Sequence, residues 1–285
     1  MNARRTTALV ATASIAVLGS TALAACGSDS GSGDGGDGIT VGIKFDQPGL
    51  GLKEGSKYTG FYVDVATYVA KQMGYDEDQI TWKQTPSPQR EQMLQAGQVD
   101  MIFATYSITD ERKQKVDFAG PYFIAGQDLL VRSDDSSITG VDSLKGKKLC
   151  SVKGSTSAVN VQKKVPGVNL QEYNTYTLCV DALKAKNVDA LTTDNTILAG
   201  YAAQPANKGQ LKVVGQTFST ENYGVGLPKG DTALCQKVTD AINKWISSGE
   251  WQKAVEKNLG PSGFKPGAGN PPKPAACGAS SGATG

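Results

Sequence analysis

The sequence predicts an α/β protein built as two lobes of similar construction. Strand-like and helix-like segments alternate along the chain, and one helix-to-strand unit occurs twice. "LQAGQVDMIFAT", Leu94 to Thr105, aligns without gaps on "LKAKNVDALTTD", Leu183 to Asp194. Each copy ends a helix, turns through "VD" and enters a short apolar strand, which puts Thr105 and Asp194 at equivalent strand ends. "VD" between a helix and a strand is also a common structural solution, so the repeat alone assigns no function. The third observation is charge at those ends: Arg112 follows the first, and the second is itself an acid. In open α/β sheets ligands bind beyond the carboxyl ends of the strands, which makes both ends candidates for a site.

The chain has 285 residues, 29 basic and 27 acidic side chains and no histidine. That length fits one large or two medium domains, and the near-balance of charge gives no case for nucleic acid. Residues 1–25 carry the pattern of an export signal: Arg4 and Arg5, an apolar stretch from Ala8 to Leu18, then "LAAC" ending in Cys26. "LAAC" resembles a bacterial lipobox, in which Cys26 is acylated and becomes the new N-terminus. A retained membrane-spanning anchor is the alternative. Two acyl chains, at about 0.8 kcal/mol per buried CH₂, anchor firmly. Residues 26–38 are then the lipidated cysteine and a flexible linker, because "GSDSGSGDGGDG" cannot bury a core.

"ITVGIKF", Ile39 to Phe45, alternates like a strand and leads into a glycine-rich loop. In "FYVDVATYVAKQMG", Phe61, Val65, Val69 and Met73 form one helical stripe, with Gly74 as its stop. Ser87 as N-cap and Pro88 at the first position start the next helix, which places Arg90 at its third position. In "TYSITDERKQKVDF", Thr109 as N-cap places Arg112 at the third position of another. There the helix dipole disfavours a cation by roughly 0.3 to 1 kcal/mol, and a bound anion would remove that penalty. A solvated Arg112 compensated by Asp110 and Glu111 is the competing reading. "VKGSTSAV" sets Gly154, Ser155, Thr156 and Ser157 at a further helix start, a donor cluster suited to a carboxylate or a phosphate. Asp194 precedes "NTILAGYA" and could be a plain N-cap; a zwitterion with a carboxylate and an ammonium would satisfy Arg112 and Asp194 together.

Besides Cys26, the chain holds Cys150, Cys179, Cys235 and Cys277, an even set for an oxidising compartment. Three pairings are open; Cys150 with Cys179 and Cys235 with Cys277 are favoured by their placement. A reactive thiol is disfavoured because no histidine is present to activate it. Residues 263–285, rich in Pro, Gly and Ala, are expected to form an irregular tail.

The ordered set "GFYVDV", "REQMLQAGQVD", "SITDERKQKVDFAGPY", "LKGKKLCSVKGST", "DALKAKNVDALTTD" and "YGVGLPKGD" resembles the polar amino acid (family 3) solute-binding proteins of ABC importers. With "KFDQPGLG" in front, it is most similar to the glutamate-binding lipoproteins of actinobacteria. The resemblance spans about residues 39–260. It implies a two-lobed periplasmic-binding-protein-like fold (type II) with the ligand between the lobes and two hinge strands. Lobe one would be residues 39–121 and 224–262, and lobe two residues 125–221. The crossings would lie near Pro121 to Ile124 and Glu221 to Tyr223.

The resemblance also implies roles. Arg112 matches the arginine that grips an α-carboxylate, assisted by Thr105, Ser107, Thr156 and Ser157, and Asp194 matches the acid that receives the α-ammonium. Phe61 matches an aromatic over the ligand, with a core role as the alternative. Lys44 and Arg90 match positions that meet a side-chain carboxylate. The expected ligand is glutamate, or a related amino acid such as aspartate or glutamine, captured by hinge closure without a cofactor. The expected partners are a membrane permease with its cytoplasmic ATPase, to which a lipid-anchored monomer on the extracytoplasmic face would deliver.

An enzyme on the same fold, of dehydratase or lytic transglycosylase type, is the main rival. The lack of histidine removes the commonest acid-base group, and no dense acidic or cysteine set suggests a metal. One "SxxK", Ser262 to Lys265, lies in the tail without a supporting helix. A sensor lobe reporting to a separate membrane protein is the second rival.

Overall fold

The computed structural model describes residues 38–278. The expected signal peptide, Cys26, all but the last residue of the linker and the end of the tail lie outside the described residues. The described part opens with strand β1 (Ile39–Ile43), a small hairpin sheet β2 (Asp46–Gln47), β3 (Gly51–Glu54) and β4 (Lys57–Thr59), and helix α1 (Phe61–Gln72). Strand β5 (Ile80–Gln84), helix α2 (Arg90–Gln95), strand β6 (Met101–Phe103), helix α3 (Asp110–Lys113) and strand β7 (Asp117–Ala125) follow. Next come β8 (Gln127–Arg132), β9 (Lys148–Val152), α4 (Thr156–Lys164), β10 (Asn169–Tyr173), α5 (Tyr176–Lys184), β11 (Ala190–Asp194), α6 (Asn195–Ala203) and β12 (Leu211–Val213). The chain returns through β13 (Glu221–Leu227) to α7 (Thr232–Ser247) and α8 (Glu250–Asn258).

Two five-stranded sheets result, ordered β5-β1-β6-β13-β7 and β10-β9-β11-β8-β12. They share one plan: three parallel strands, then one antiparallel strand, then a fifth that runs with the first three. The duplicated sequence supplies the middle strand of each, β6 and β11. Its "VD" has the same task twice, since Asp100 accepts from the Thr40 amide at 2.7 Å and Asp189 from the Lys148 amide at 2.8 Å. The turn before it is left-handed in both copies, at Gly97 with φ 62° and at Lys186 with φ 60°.

The lobes are joined where β7 runs into β8 and where the chain enters β13. Those strands pair antiparallel, Glu221 opposite Ala125 and Tyr223 opposite Phe123. Beneath them lies an aromatic core in which Phe123 stacks on Tyr223 and Trp251 with ring centroids 5.8 and 5.7 Å apart. The Cys150–Cys179 bond ties β9 to α5, and Cys235–Cys277 ties α7 to the tail, with Cα separations of 5.7 and 5.9 Å. The tail forms no regular element after Ser262 among the described residues, yet it covers the outer edge of β7. The Asn270 amide spans the Ile124 N–H and C=O at 3.0 and 2.8 Å, and the Ala275 N–H donates to Gly120 at 2.8 Å. An exposed sheet edge is a pairing hazard, and this strap removes it.

Candidate amino acid site

Both copies of the repeat deliver polar groups to the face where the lobes meet. Beyond β6, Thr105 is a non-glycine residue at φ 47°, a sparsely populated conformation that clusters at functional sites. It accepts from Gln47 Nε2 at 3.5 Å. Ser107 and Thr109 follow, and the Thr109 hydroxyl accepts from the Arg112 amide at 3.2 Å, the expected N-cap. Helix α3 spans only Asp110–Lys113, so its dipole is small and Arg112 is held by contacts instead. Its Nη1 donates to the Ser107 carbonyl at 2.8 Å, Nη2 to the Gly154 carbonyl of the other lobe at 3.3 Å, and Nε sits 3.4 Å from Glu91. Arg112 is 9% exposed, which overturns the solvated alternative.

The expected cap at Ser87 does not form. Ser87–Gln89 is a 3-10 turn, so Arg90 opens helix α2 rather than occupying its third position. Ser87 instead accepts from Lys44 Nζ at 2.9 Å. Arg90 is buried, with Nη1 donating to the Ala104 carbonyl at 3.0 Å and its guanidinium 4.1 Å from the Tyr106 ring; Arg112 lies 5.1 Å from the same ring. Lys44 and Arg90 therefore rest on neutral partners. Burial lowers Lys44 to about 7, with Arg90 and Arg112 adding to the effect and Asp46 opposing it. Arg90 falls to about 10 through burial and then Arg112.

On the second lobe, Ser155 caps α4 by accepting from the Ala158 amide at 3.1 Å, leaving Thr156 and Ser157 in the first turn. Asp194 stands at the N-cap position of α6, but its side chain makes no capping bond. It accepts from Tyr223 OH at 2.6 Å and from Ser157 Oγ at 3.5 Å. Burial, then the charge of Glu221, raises it to about 8, against the pull of Tyr223, Ser157 and Arg112.

Phe61 does not join this group. Its ring lies among Tyr122, Phe123, Trp245 and Trp251, with centroids 5.4 Å from Phe123 and from Trp245, inside the core under α7 and α8. The helix stripe wins over the ligand-stacking expectation because α1 turns its apolar face inward. Lys44, Arg90, Thr105, Ser107, Arg112, Thr156, Ser157 and Asp194 are drawn together. Glu221, Gln47 and Gln127 escaped sequence reasoning. Glu221 left one trace, an acid two residues before Tyr223 in an apolar strand, so that both side chains face one side. Gln47 Oε1, Gln127 Oε1 and Arg90 Nε are buried without a hydrogen-bond partner.

The lobes touch on both sides of this group. Tyr201 of α6 donates to the Asp46 carbonyl, and a Cβ on Gly200 would run into the Pro48 carbonyl. A Cβ on Gly154 would lie 2.9 Å from Pro88. Two α/β lobes closing on buried charges of both signs define a two-lobed binding protein. The chain belongs to the bacterial extracellular solute-binding proteins, family 3, whose family model matches residues 39–261.

It is 45% identical over 274 residues to the glutamate-binding protein GluB of Corynebacterium efficiens, covering 90% of this chain and 92% of that protein. It is 38% identical over 252 residues to the ABC transporter glutamine-binding protein GlnH of Bacillus subtilis, covering 82% and 91%. Among solved structures it is similar to an ancestral arginine-binding protein bound to glutamine, with a TM-score of 0.74 and 35% identity over 80% of this chain and all of that one. The chain is thus a solute-binding protein rather than an enzyme, homologous to a glutamate-binding protein and to a glutamine-binding protein of an ABC transporter.

Proposed function

We propose that this protein is the lipid-anchored receptor of an ABC importer and captures glutamate between its lobes. The observation that carries the reading is the set of buried charges: Lys44, Arg90 and Arg112 on one lobe face Asp194 on the other. A buried charge is costly unless paired, and the ordinary partners here are few. The α-carboxylate would take Arg112, with Thr105, Ser157 and the main chain at Ser107 and Thr156 at its edge, the hydroxyls of the last two being held by Glu221, and the α-ammonium would take Asp194. The second carboxylate of glutamate would lie against Lys44 and Arg90, where an uncharged amide would leave Arg90 without an anion and Lys44 without the partner that keeps it protonated.

Glutamine is the second reading, supported by the glutamine-binding relative and by the unpartnered amide oxygens of Gln47 and Gln127, which would accept from a carboxamide. Hinge closure would exclude water and present one surface to a membrane permease, whose cytoplasmic ATPase drives transport. Anchoring through Cys26 on the extracytoplasmic face is supported by "LAAC" and by the family's extracellular character. No helix among the described residues is long and apolar enough to cross a membrane. The lipid and a flexible linker would keep a monomeric receptor near the permease and raise its effective concentration.

The test is a thermal-shift panel of the twenty amino acids on the part after Cys26. The largest rise with glutamate supports the reading; a rise with glutamine alone transfers it to glutamine; no rise with any amino acid refutes it.

A further inference from the structure

Glu221 opens strand β13 at the hinge and is 3% exposed. Its Oε2 accepts from Ser107 Oγ at 2.6 Å and Thr156 Oγ1 at 3.0 Å. Its Oε1 accepts from Asn160 Nδ2 at 2.9 Å and Ser219 Oγ at 2.8 Å. The donors have three origins. Ser107 belongs to the first lobe, Thr156 and Asn160 stand one turn apart on α4 of the second, and Ser219 lies on the connecting chain. Thr156 and Asn160 share a helix face, so one carboxylate at the hinge can hold both. Swinging α4 away would strip Glu221 of two donors and leave Ser107 alone on its oxygen. The complete set therefore belongs only to the closed arrangement.

We infer that Glu221 is a positioning residue that fastens Ser107 and α4 together across the hinge and holds the closed cleft around its ligand without touching that ligand. Hydrogen bonds to a charged acceptor are the strong ones, and in a dry site they are stronger still. A latch of this kind acts on release: capture occurs from the open form, where the set is incomplete, while escape requires breaking it. Glu221 also adds negative charge beside Asp194, on the end of the cleft that would meet an ammonium group.

The inference rests on reading the cleft as an amino acid site, and the test separates the two. Stopped-flow tryptophan fluorescence gives glutamate association and dissociation rates for the parent, Glu221→Gln, Asn160→Asp and the double variant. Glu221→Gln is expected to dissociate at least tenfold faster, since its amide would face donors, and to associate no more slowly than the parent, since more of the ligand-free protein is open. Asn160→Asp sets one carboxylate against another and should also speed release. Combining the two restores a donor opposite an acceptor and should recover most of the slow release, which a merely structural role would not do. Release of Glu221→Gln within twofold of the parent, or a double variant no slower than either single one, overturns the inference. Small-angle scattering of ligand-free parent and Glu221→Gln reads closure without any amino acid. A larger radius for the variant supports the latch and an unchanged radius counts against it, even if the parent binds nothing and the amino acid reading has failed.

Discussion

Arg112 of the first lobe donates to the main-chain carbonyl of Gly154 on the second at 3.3 Å, so one guanidinium touches both walls of the cleft. Its other amino nitrogen is fixed on the Ser107 carbonyl at 2.8 Å. A planar fork held at two points is suited to receive a carboxylate in a set direction. In the proposed reading, closure and anion capture fall on this one side chain.

The approach of α6 to Pro48 leaves no space for a side chain at Gly200. Gly200→Ala should obstruct closure, and overpacking of about 1 to 3 kcal/mol corresponds to glutamate binding weakened roughly 5- to 150-fold. Alanine is the better helix former by about 1 kcal/mol, so the melting temperature of the ligand-free protein should hold or rise. Calorimetry with a parallel melt checks both directions; equal affinity in parent and variant would remove the closure argument.

Proton linkage gives a second signature. Asp194 must be ionised to receive an ammonium but is held up at about 8, so binding releases a proton below that pH. Lys44 must be protonated to receive a carboxylate but is held down at about 7, so binding takes one up above that pH. At pH 7.5 the two largely cancel for glutamate. In Lys44→Met only the release should remain, which calorimetry in buffers of different ionisation enthalpy measures. In the ligand-free protein the signs follow from the same values. Asp194 lowers stability progressively from about pH 4 to 8, and Lys44 restores it from about pH 7 to 10.5.

Phe61 separates core from site. Phe61→Ala should lower stability by about 3 to 5 kcal/mol, the usual loss for a buried phenylalanine. Phe61→Leu, which keeps most of the volume, should lower the melting temperature and leave glutamate affinity within about twofold. A selective loss of affinity in Phe61→Leu would return this ring to the site.

The repeat carries a prediction about strain. Lys186 adopts the left-handed turn that glycine adopts in the other copy, and it is exposed. Lys186→Gly should therefore stabilise the protein by about 1 kcal/mol, read from denaturant midpoints at unchanged slope.

The duplicated "VD" unit was legible because its two jobs are local: a turn, and an aspartate that brackets the next strand. The place of Arg112 between the lobes was signalled by its position after Thr109, although the helix is too short for the dipole argument to hold, and that of Asp194 by its register with Thr105. Phe61 was misread because the stripe that buries it and a resemblance that exposes it use the same residue. Ser87 was misread because serine before proline is a strong cap signal, and the competing partner, Lys44, is 43 positions away. Glu221 stayed hidden for the same reason, since Ser107 and Asn160 approach it from distant segments of both lobes.

The most direct measurement of the central claim is a calorimetric titration of glutamate into the parent and Arg112→Ala. Truncating a buried, hydrogen-bonded charge partner costs about 2 to 5 kcal/mol, so the variant should bind at least 30-fold more weakly. An Arg112→Ala variant that is folded and binds glutamate as tightly as the parent would contradict the account.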